Sequence, residues 1–199
     1  MLVHLRRSLV MAVICLVFFG FVYAFAGTGV AQVLFPFHAN GSITKNGSLL
    51  IGQNWSSPKW FHGRPDDSGP YAANAKNNVA GGDNPLVANG FHGESAATNL
   101  GPRSKALEDN TKALVAYWHQ LGVKPTIDLV TTSGSGYDPD ISAIDAIVQI
   151  PMVTKATGVS PAQLRALIEQ QTHPAQWGFM GSSYINVLQL NEGLAKLER

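Results

Sequence analysis

Cysteine and charged residues are both scarce in this sequence. Cys15 is the only cysteine among 199 residues, so no intrachain disulfide can form and any domain must be held together by its apolar core. Only 14% of the residues are charged and the net charge is +1, which provides no strong field for nucleic acid or acidic substrates. The composition therefore disfavours a disulfide-stabilised fold and a nucleic-acid-binding protein.

The longest uncharged stretch lies near the N-terminus. No Asp, Glu, Lys or Arg occurs between Arg7 and Lys45, and residues 8–30 are almost wholly apolar. A helix needs about 20 apolar residues to cross the hydrocarbon core of a bilayer, where backbone polar groups must be paired within the segment. The basic residues before it form the flank that stays in the cytoplasm. The pattern predicts a transmembrane helix over 8–30, a cytoplasmic stretch over 1–7 and one extracytoplasmic domain over 31–199.

A cleaved secretory signal is the alternative interpretation of the same stretch. Ala24-Phe25-Ala26 has the small-x-small pattern of a cleavage site. The apolar run continues to Phe37, however, which is longer than the roughly 7–15 residues of a typical signal core. We therefore favour a retained anchor. Both interpretations place the rest of the chain outside the cytoplasm.

The remainder of the chain mixes helix and strand patterns. Apolar spacing and capping residues predict helices over 104–121, from Ser142, from Ser160, and from Asn191 to Leu197. Pro151 is expected to kink or break the second of these helices, and Gly158 to end it. Apolar and β-branched runs predict strands at 48–52, 127–132 and 184–188. The fold class that follows is a mixed α/β (α+β) domain.

Residues 54–101 show neither helical nor strand periodicity. They are rich in Asn, Gly, Ser, Ala and Pro, yet they include five large aromatic side chains, Trp55, Trp60, Phe61, Tyr71 and Phe91. Disordered tracts are poor in such residues. We expect an ordered irregular segment that covers the core or contacts a partner.

The loop Ser133-Gly134-Ser135-Gly136 is the first place to look for chemistry. A hydrolase nucleophile elbow needs Gly-x-Ser-x-Gly, and Ser133 stands where the first Gly is required. The loop also lacks the Lys of a phosphate-binding P-loop, although backbone N–H groups before a helix can bind phosphate. These four residues are therefore weak candidates for nucleotide contact. The simplest interpretation is a turn between a strand and a helix.

Acidic and histidine residues provide no metal or catalytic pattern. Asp138 and Asp140 alternate as in a calcium loop, but the further ligand positions are occupied by Ser142, Ala143 and Gln149. The six histidines show no close ligand pair. We predict no metal site and no catalytic residue.

Several short motifs, in order along the chain, carry a family resemblance. Behind the single apolar span come Leu50-Ile51-Gly52-Gln53, Phe61-His62-Gly63-Arg64-Pro65, Thr98-Asn99-Leu100-Gly101-Pro102, residues 128–142 (DLVTTSGSGYDPDIS), and residues 185–191 (INVLQLN). With these motifs the whole chain resembles the C subunit of the Kdp-type potassium-transporting P-type ATPase. The motif positions that carry the resemblance are Gln53, Gly101, Pro102, Asp128, Asp138, Pro139, Asn186 and Asn191.

The resemblance implies a non-catalytic subunit of an ATP-driven potassium uptake complex in the bacterial inner membrane. Implied partners are membrane lipid, a channel-like potassium-binding subunit, a P-type pump subunit and a small single-span subunit. ATP and K⁺ would be held by the pump and channel-like subunits, while this chain would aid assembly and act as a catalytic chaperone that raises the pump's affinity for ATP. Candidate partner contacts are Trp55, Trp60, Phe61, Gly63, Arg64, Pro65, Gly20 and Gly27. An exported hydrolase using Ser135 and a tethered binding protein acting alone are the alternatives.

Overall fold

The computed structural model describes residues 2–53, 55, 57–65, 98–135 and 138–198. Its contacts divide the chain into two compact units, Met1–Lys45 and Asn46–Arg199. Tyr71 and Phe91 of the irregular segment, which is predicted to be ordered, and Gly136 of the serine-glycine loop lie outside the described residues.

The first unit is dominated by one apolar helix, Leu2–Leu34, of 33 residues. It consists of α1 (Leu2–Cys15), a π-helical stretch (Leu16–Val22) and α2 (Tyr23–Leu34), and is followed by α3 (Pro36–Ala39) and strand β1 (Ile43–Thr44). No residue of α1, the π-helical stretch or α2 is buried. Length and composition suit a membrane span, which confirms the prediction of one N-terminal apolar helix, although the helix extends beyond residues 8–30 at both ends.

The second unit is a set of helices with a very small sheet. Its elements are β2 (Gly47–Ser48), α4 (Lys105–Gln120), a 3₁₀ helix (Asp128–Val130), β3 (Asp140–Ile141), α5 (Ala143–Thr157), α6 (Pro161–Gln171), β4 (Ile185–Asn186) and α7 (Val187–Leu197). Strands β3 and β4 pair antiparallel, with Asp140 opposite Asn186 and Ile141 opposite Ile185. The mixed fold class is therefore confirmed, with less strand than predicted.

The helix boundaries follow the predicted local signals. The Ser142 side chain accepts from the Asp145 N–H and the Asp145 side chain accepts from the Ser142 N–H, which forms a capping box at the start of α5. Ser160 and Gln163 form the same arrangement at the start of α6. Gly158 ends α5 with φ of 78°, a left-handed conformation that glycine adopts without strain.

Pro151 does not end α5, which continues to Thr157, so the predicted break is wrong. The proline itself is exposed, while its neighbours Ile150, Met152 and Val153 are buried in the core. Packing of these side chains outweighs the loss of one backbone hydrogen bond.

The predicted strand at 127–132 is wrong: a 3₁₀ helix lies there instead. The Trp118 Nε1–H donates to the Leu129 carbonyl at 3.0 Å, so a tertiary hydrogen bond satisfies this group instead of a strand partner. The Thr131 hydroxyl donates to the Ile127 carbonyl at 2.8 Å. Local side-chain bonds of this kind compete with strand pairing.

The other two strand predictions were too long. Only Gly47–Ser48 is extended near 48–52. Near 184–188 the strand is limited to Ile185–Asn186, and α7 begins at Val187 with Asn186 as its N-cap. The predicted cap at Asn191 is therefore wrong, because that residue lies inside the helix and is buried.

The core of the second unit lies where its helices meet. Its fully buried side chains include Trp118 of α4, Val153 of α5, Leu164 of α6, and Leu190 and Leu194 of α7. Phe61, from a segment without regular structure, and Leu129, from the 3₁₀ helix, fill the same cluster. This core positions the site described next.

Candidate functional site

A segment without regular secondary structure, residues 57–65, passes into this core; we call it the strap. Phe61 and His62 are both 0% exposed. Backbone groups buried in a core need hydrogen-bond partners, and within the described part of the chain no strand pairs with the strap to provide them.

Two buried side-chain amides supply those partners. The Phe61 N–H donates to Asn191 Oδ1 at 2.9 Å, and Asn191 Nδ2 donates back to the Phe61 carbonyl at 2.9 Å. In the next residue, the His62 N–H donates to Gln149 Oε1 at 2.8 Å and Gln149 Nε2 donates to the His62 carbonyl at 3.0 Å. Helices α7 and α5 thus hold the strap by four hydrogen bonds that imitate the pairing of a sheet.

Arg64 connects the strap to the loop that follows the 3₁₀ helix. Its Nη1 lies 3.3 Å from Asp138 Oδ2, and its Nη2 donates to the Thr132 carbonyl at 3.1 Å. Nη2 also lies 3.8 Å from Asp128 Oδ1. One guanidinium therefore joins two carboxylates and a backbone carbonyl, a geometry that its planar fork of donors allows.

Asn186 connects the small sheet to the start of α7 and to the segment before the strap. Its Nδ2 donates to Asp140 Oδ1 at 3.1 Å and to the Leu49 carbonyl at 2.9 Å. Its Oδ1 accepts from the Gln189 N–H at 3.3 Å. Burial raises the pKa of Asp140, with Asp138 adding to the rise, while the Asn186 hydrogen bond and the nearby His173 oppose it.

The His62 ring is enclosed between the strap and α4. Its centroid lies 5.5 Å from that of Trp118, and its Nε2 lies 3.2 Å from the Ser57 carbonyl. Nε2 therefore carries the proton, and Nδ1 is buried with no partner among the described residues. Burial lowers the pKa of His62 to about 4, although the Ser57 hydrogen bond acts in the opposite direction.

Trp55 and Trp60 line a groove on the outer side of the strap, which we call the tryptophan groove. The two rings pack edge to face with centroids 5.4 Å apart, and both are half-buried. Lys59 Nζ lies 4.3 Å above the Trp60 ring. The remaining lining residues are mostly polar: Asn46, Gln53, Asn191, Glu192 and Ala195.

The serine-glycine loop contributes little that could bind a nucleotide. Ser133 is buried, Ser135 is exposed, and their hydroxyl oxygens lie 3.1 Å apart. At the N-terminus of α5 the Asp145 carboxylate accepts from the Ser142 N–H at 2.8 Å. A carboxylate already occupies the position where a helix would bind phosphate, so this helix start disfavours a second anion.

The residues that the sequence suggested as partner contacts differ in their exposure to solvent. Phe61 and Pro65 are buried within the unit, and Gly63 is half-buried, where a Cβ would meet Val187 at 3.8 Å. Trp55 and Trp60 remain accessible. Gly20 and Gly27 are exposed on the apolar helix.

The other residues singled out in the sequence take up structural positions. Gln53 is half-buried and donates from Nε2 to the Ser48 carbonyl at 3.1 Å, and the Val187 N–H donates to the Pro139 carbonyl at 2.9 Å. Gly101 and Pro102 are exposed just before α4. Among the described residues, no three His, Cys, Asp or Glu side chains come close enough to hold a metal ion.

Sequence reasoning missed Gln149, which is 0% exposed. One signal was available, because this amide lies on the same helical face as the buried apolar residues Ala146, Ile150 and Val153. A buried polar side chain on an apolar face needs a defined partner.

Comparison with known proteins identifies the family of this strap-containing chain. A family model described as K⁺-transporting ATPase, c chain (KdpC), matches residues 5–196. The chain belongs to this family. It is a subunit of a potassium-transporting ATPase and is not an enzyme on its own.

Relatives match over nearly their whole length. The potassium-transporting ATPase KdpC subunit of Methylobacterium nodulans is 40% identical and aligns over 99% of this chain and 98% of its own. That of Gloeobacter violaceus is 41% identical over 90% of this chain and 89% of its own. That of Rhodopseudomonas palustris is 40% identical over 98% of this chain and 97% of its own.

Proposed function

We propose that this chain is a single-pass subunit that assembles and stabilises the potassium-transporting complex in the bacterial inner membrane, and raises the affinity of the pump subunit for ATP. Its N-terminus is cytoplasmic and its second unit lies outside. The complex also contains a channel-like potassium-binding subunit, a P-type pump subunit and a small single-span subunit. ATP and K⁺ bind to those partners.

The observation that carries this proposal is that the polar side chains around the strap form hydrogen bonds and ion pairs within the chain itself. Asn191, Gln149 and Arg64 all bond to the chain's own backbone or to its own carboxylates. Side chains whose polar atoms are bonded within the chain stabilise its structure and are not available to bind a reacting substrate. A rigid shape is what a scaffold subunit requires.

The effect on ATP affinity is indirect in this proposal. ATP is cytoplasmic, whereas the second unit lies on the other side of the membrane. At the N-terminus of α5 the Asp145 carboxylate accepts the hydrogen bond that a phosphate would otherwise accept. Ser135 is exposed, and the described part of the serine-glycine loop does not form a phosphate-binding site. The chain therefore acts on the pump through the channel-like subunit.

Two surfaces mediate assembly. The apolar helix Leu2–Leu34 packs beside helices of the partners in the bilayer, where Gly20 and Gly27 allow close approach. The tryptophan groove contacts the channel-like subunit outside, with Trp55 and Trp60 as apolar anchors and polar residues at its edge.

Reconstitution of the complex with and without this chain tests the role. We expect omission to lower the yield of intact complex and to raise the KM for ATP of K⁺-stimulated hydrolysis. A photoreactive ATP analogue should label the pump subunit and leave this chain unlabelled. An unchanged KM would contradict the affinity effect, and labelling of this chain would contradict the indirect route.

Crosslinking and accessibility test the placement. A photoreactive amino acid at Trp60 should capture the channel-like subunit in the intact complex, and capture of lipid or solvent alone would refute the groove contact. A cysteine introduced at exposed Lys196, with Cys15→Ala, should react with an impermeant maleimide added outside intact cells from which the outer membrane has been removed. Protection until lysis would reverse the orientation.

A further inference from the structure

The first unit carries positive charges and no negative ones. Arg6, Arg7 and Lys45 are its charged side chains, and no Asp or Glu occurs before Asp66, although the chain has 13 acidic residues. Among the described residues neither arginine forms an ion pair, and both are exposed. A negative charge that meets these two guanidinium groups must therefore come from outside the unit.

The two arginines stand on either side of an apolar strip of α1. An α-helix turns by about 100° per residue, so Arg6 and Arg7 project about 100° apart around its axis, with Val3, Val10 and Ile14 between them. A concavity of about 610 Å³ results, which we call the arginine cleft; its lining side chains are Val3, Arg6, Arg7, Val10, Met11 and Ile14. Val10 is 51% and Ile14 52% exposed, so no described part of the chain covers the strip.

A phospholipid has both kinds of group that this cleft accommodates. Its phosphate oxygens accept paired hydrogen bonds from a guanidinium fork, which suits arginine better than lysine. Its acyl chain is apolar, and Val10 and Ile14 continue the cleft as an apolar surface beyond the arginines. Long arginine side chains near the end of a membrane helix extend to the interface, where the headgroups lie. The cleft thus presents charge and apolar surface in the same order as a lipid does.

We propose that the arginine cleft binds one anionic phospholipid, with its phosphate between Arg6 and Arg7 and an acyl chain along Val10 and Ile14. A headgroup of net negative charge binds more tightly than a zwitterionic one, because the ammonium group of the latter would lie near two cations. The site anchors this end of the helix at the headgroups of the cytoplasmic leaflet. The proposal takes only the orientation of the helix in the bilayer from the proposed function.

A phospholipid fits this cleft better than an acidic segment of a protein does. The cleft lies where the uncharged run of residues 8–44 begins, so the surroundings become apolar within about one turn of Arg7. A carboxylate brought there by a protein would lose its hydration at a high free-energy cost. A lipid phosphate already lies at this depth with its own hydrocarbon beside it, and incurs no such cost.

Native mass spectrometry of the full-length chain in detergent tests the site. We expect dioleoylphosphatidylglycerol to form a one-to-one adduct and dioleoylphosphatidylcholine to bind more weakly. Arg6→Gln and Arg7→Gln should each weaken the phosphatidylglycerol adduct about fivefold, and the double variant about 25-fold, because each cation contributes similarly to attraction by anionic lipid. Inorganic phosphate at the same concentration should not displace the lipid, because it has no acyl chain. Equal binding of the two lipids, or displacement by phosphate, would overturn the proposal.

A variant of unchanged net charge distinguishes a paired site from general attraction to positive charge. Arg7→Gln combined with Ser8→Arg leaves two guanidinium groups that project about 160° apart, on nearly opposite sides of the helix. This variant should bind phosphatidylglycerol as weakly as Arg7→Gln alone, with the helix content of the wild type by circular dichroism. Binding equal to that of the wild type would show that charge alone is responsible, and would overturn the paired site.

The same charge-conserving variant identifies the occupant of the cleft in the assembled complex, since it keeps the basic flank that sets the orientation of the helix. After incubation with dioleoylphosphatidylglycerol, it should co-purify the same subunits as the wild type and retain less of this lipid. Loss of a subunit with lipid unchanged would assign the arginines to an acidic protein partner and overturn the lipid site. If the wild-type chain co-purified no other subunit, the proposed function would fall, whereas the lipid preference of the isolated chain would still support the site.

Discussion

The side-chain amide of Asn191 forms two hydrogen bonds with the backbone of a residue 130 positions away, Phe61, each of 2.9 Å. Both residues are buried, so no water replaces these bonds when the amide is removed. We expect Asn191→Leu to lower the free energy of unfolding by about 2–4 kcal/mol, because it leaves a buried N–H and a buried carbonyl unpaired. Urea unfolding of the full chain in detergent, followed by near-ultraviolet circular dichroism of the tryptophans, measures this loss.

Lys196→Leu is the control for that measurement. It introduces the same side chain at an exposed position of the same helix, and should change stability by less than about 0.5 kcal/mol. If the two variants were equally stable, the amide would have no role in holding the strap.

Arg64 should stabilise the positions of Asp128, Thr132 and Asp138 through the N–H donors of its guanidinium group. Arg64→Lys keeps the charge but cannot reach Asp138 and the Thr132 carbonyl in the same geometry. We expect amide hydrogen exchange in residues 128–135 to become about tenfold faster, with exchange in α6 unchanged, since local opening needs less free energy when contacts are lost. Arg103→Lys, at an exposed site, is the control; equal exchange in the two variants would show that the contacts of Arg64 do not order the loop.

A substitution of Ser135 distinguishes the proposed subunit role from that of an exported hydrolase. Its exposed hydroxyl lies 3.1 Å from that of Ser133 and within a loop that lacks a nucleophile elbow. We expect Ser135→Ala to leave the yield of the complex and its K⁺-stimulated ATP hydrolysis unchanged. An ester-hydrolysing activity of the purified chain that disappeared in this variant would instead establish the enzyme.

The helices of the second unit could be predicted because their signals are local. The side chains that cap α5 lie three residues apart, at Ser142 and Asp145, and Gly158 ends the helix by its own conformational preference. The apolar N-terminal helix could also be predicted, because its length and composition indicate it without information from the rest of the chain.

The strap and the 3₁₀ helix could not be predicted because their hydrogen-bond partners belong to other elements and leave no local sequence pattern. His62 pairs with Gln149, 87 residues further on. The β-branched run at 127–132 forms a 3₁₀ helix in which the Leu129 carbonyl accepts from the indole of Trp118. The resemblance identified Asn191 as important, but only the structure shows that its amide replaces a missing strand.

His62 should make the stability of the second unit depend on pH. Its pKa is about 4 in the folded chain and near 6.5 when unfolded, so between these values the unfolded chain binds more protons. Stability is therefore complete above about pH 6.5 and is lost as the pH falls toward 4, by about 3 kcal/mol in total. The physical cause is that protonation would place a charge on buried Nδ1, which has no partner among the described residues.

His62→Phe removes this titration and keeps an aromatic ring beside Trp118. The raised pKa of Asp140 has the opposite sign, because the penalty of its buried charge is relieved as the pH falls. That contribution is common to both proteins and cancels in their difference. Denaturant unfolding at a series of pH values from 7 to 4 should show the wild type losing stability relative to His62→Phe, and parallel curves would mean that His62 is already accessible to protons in the folded chain.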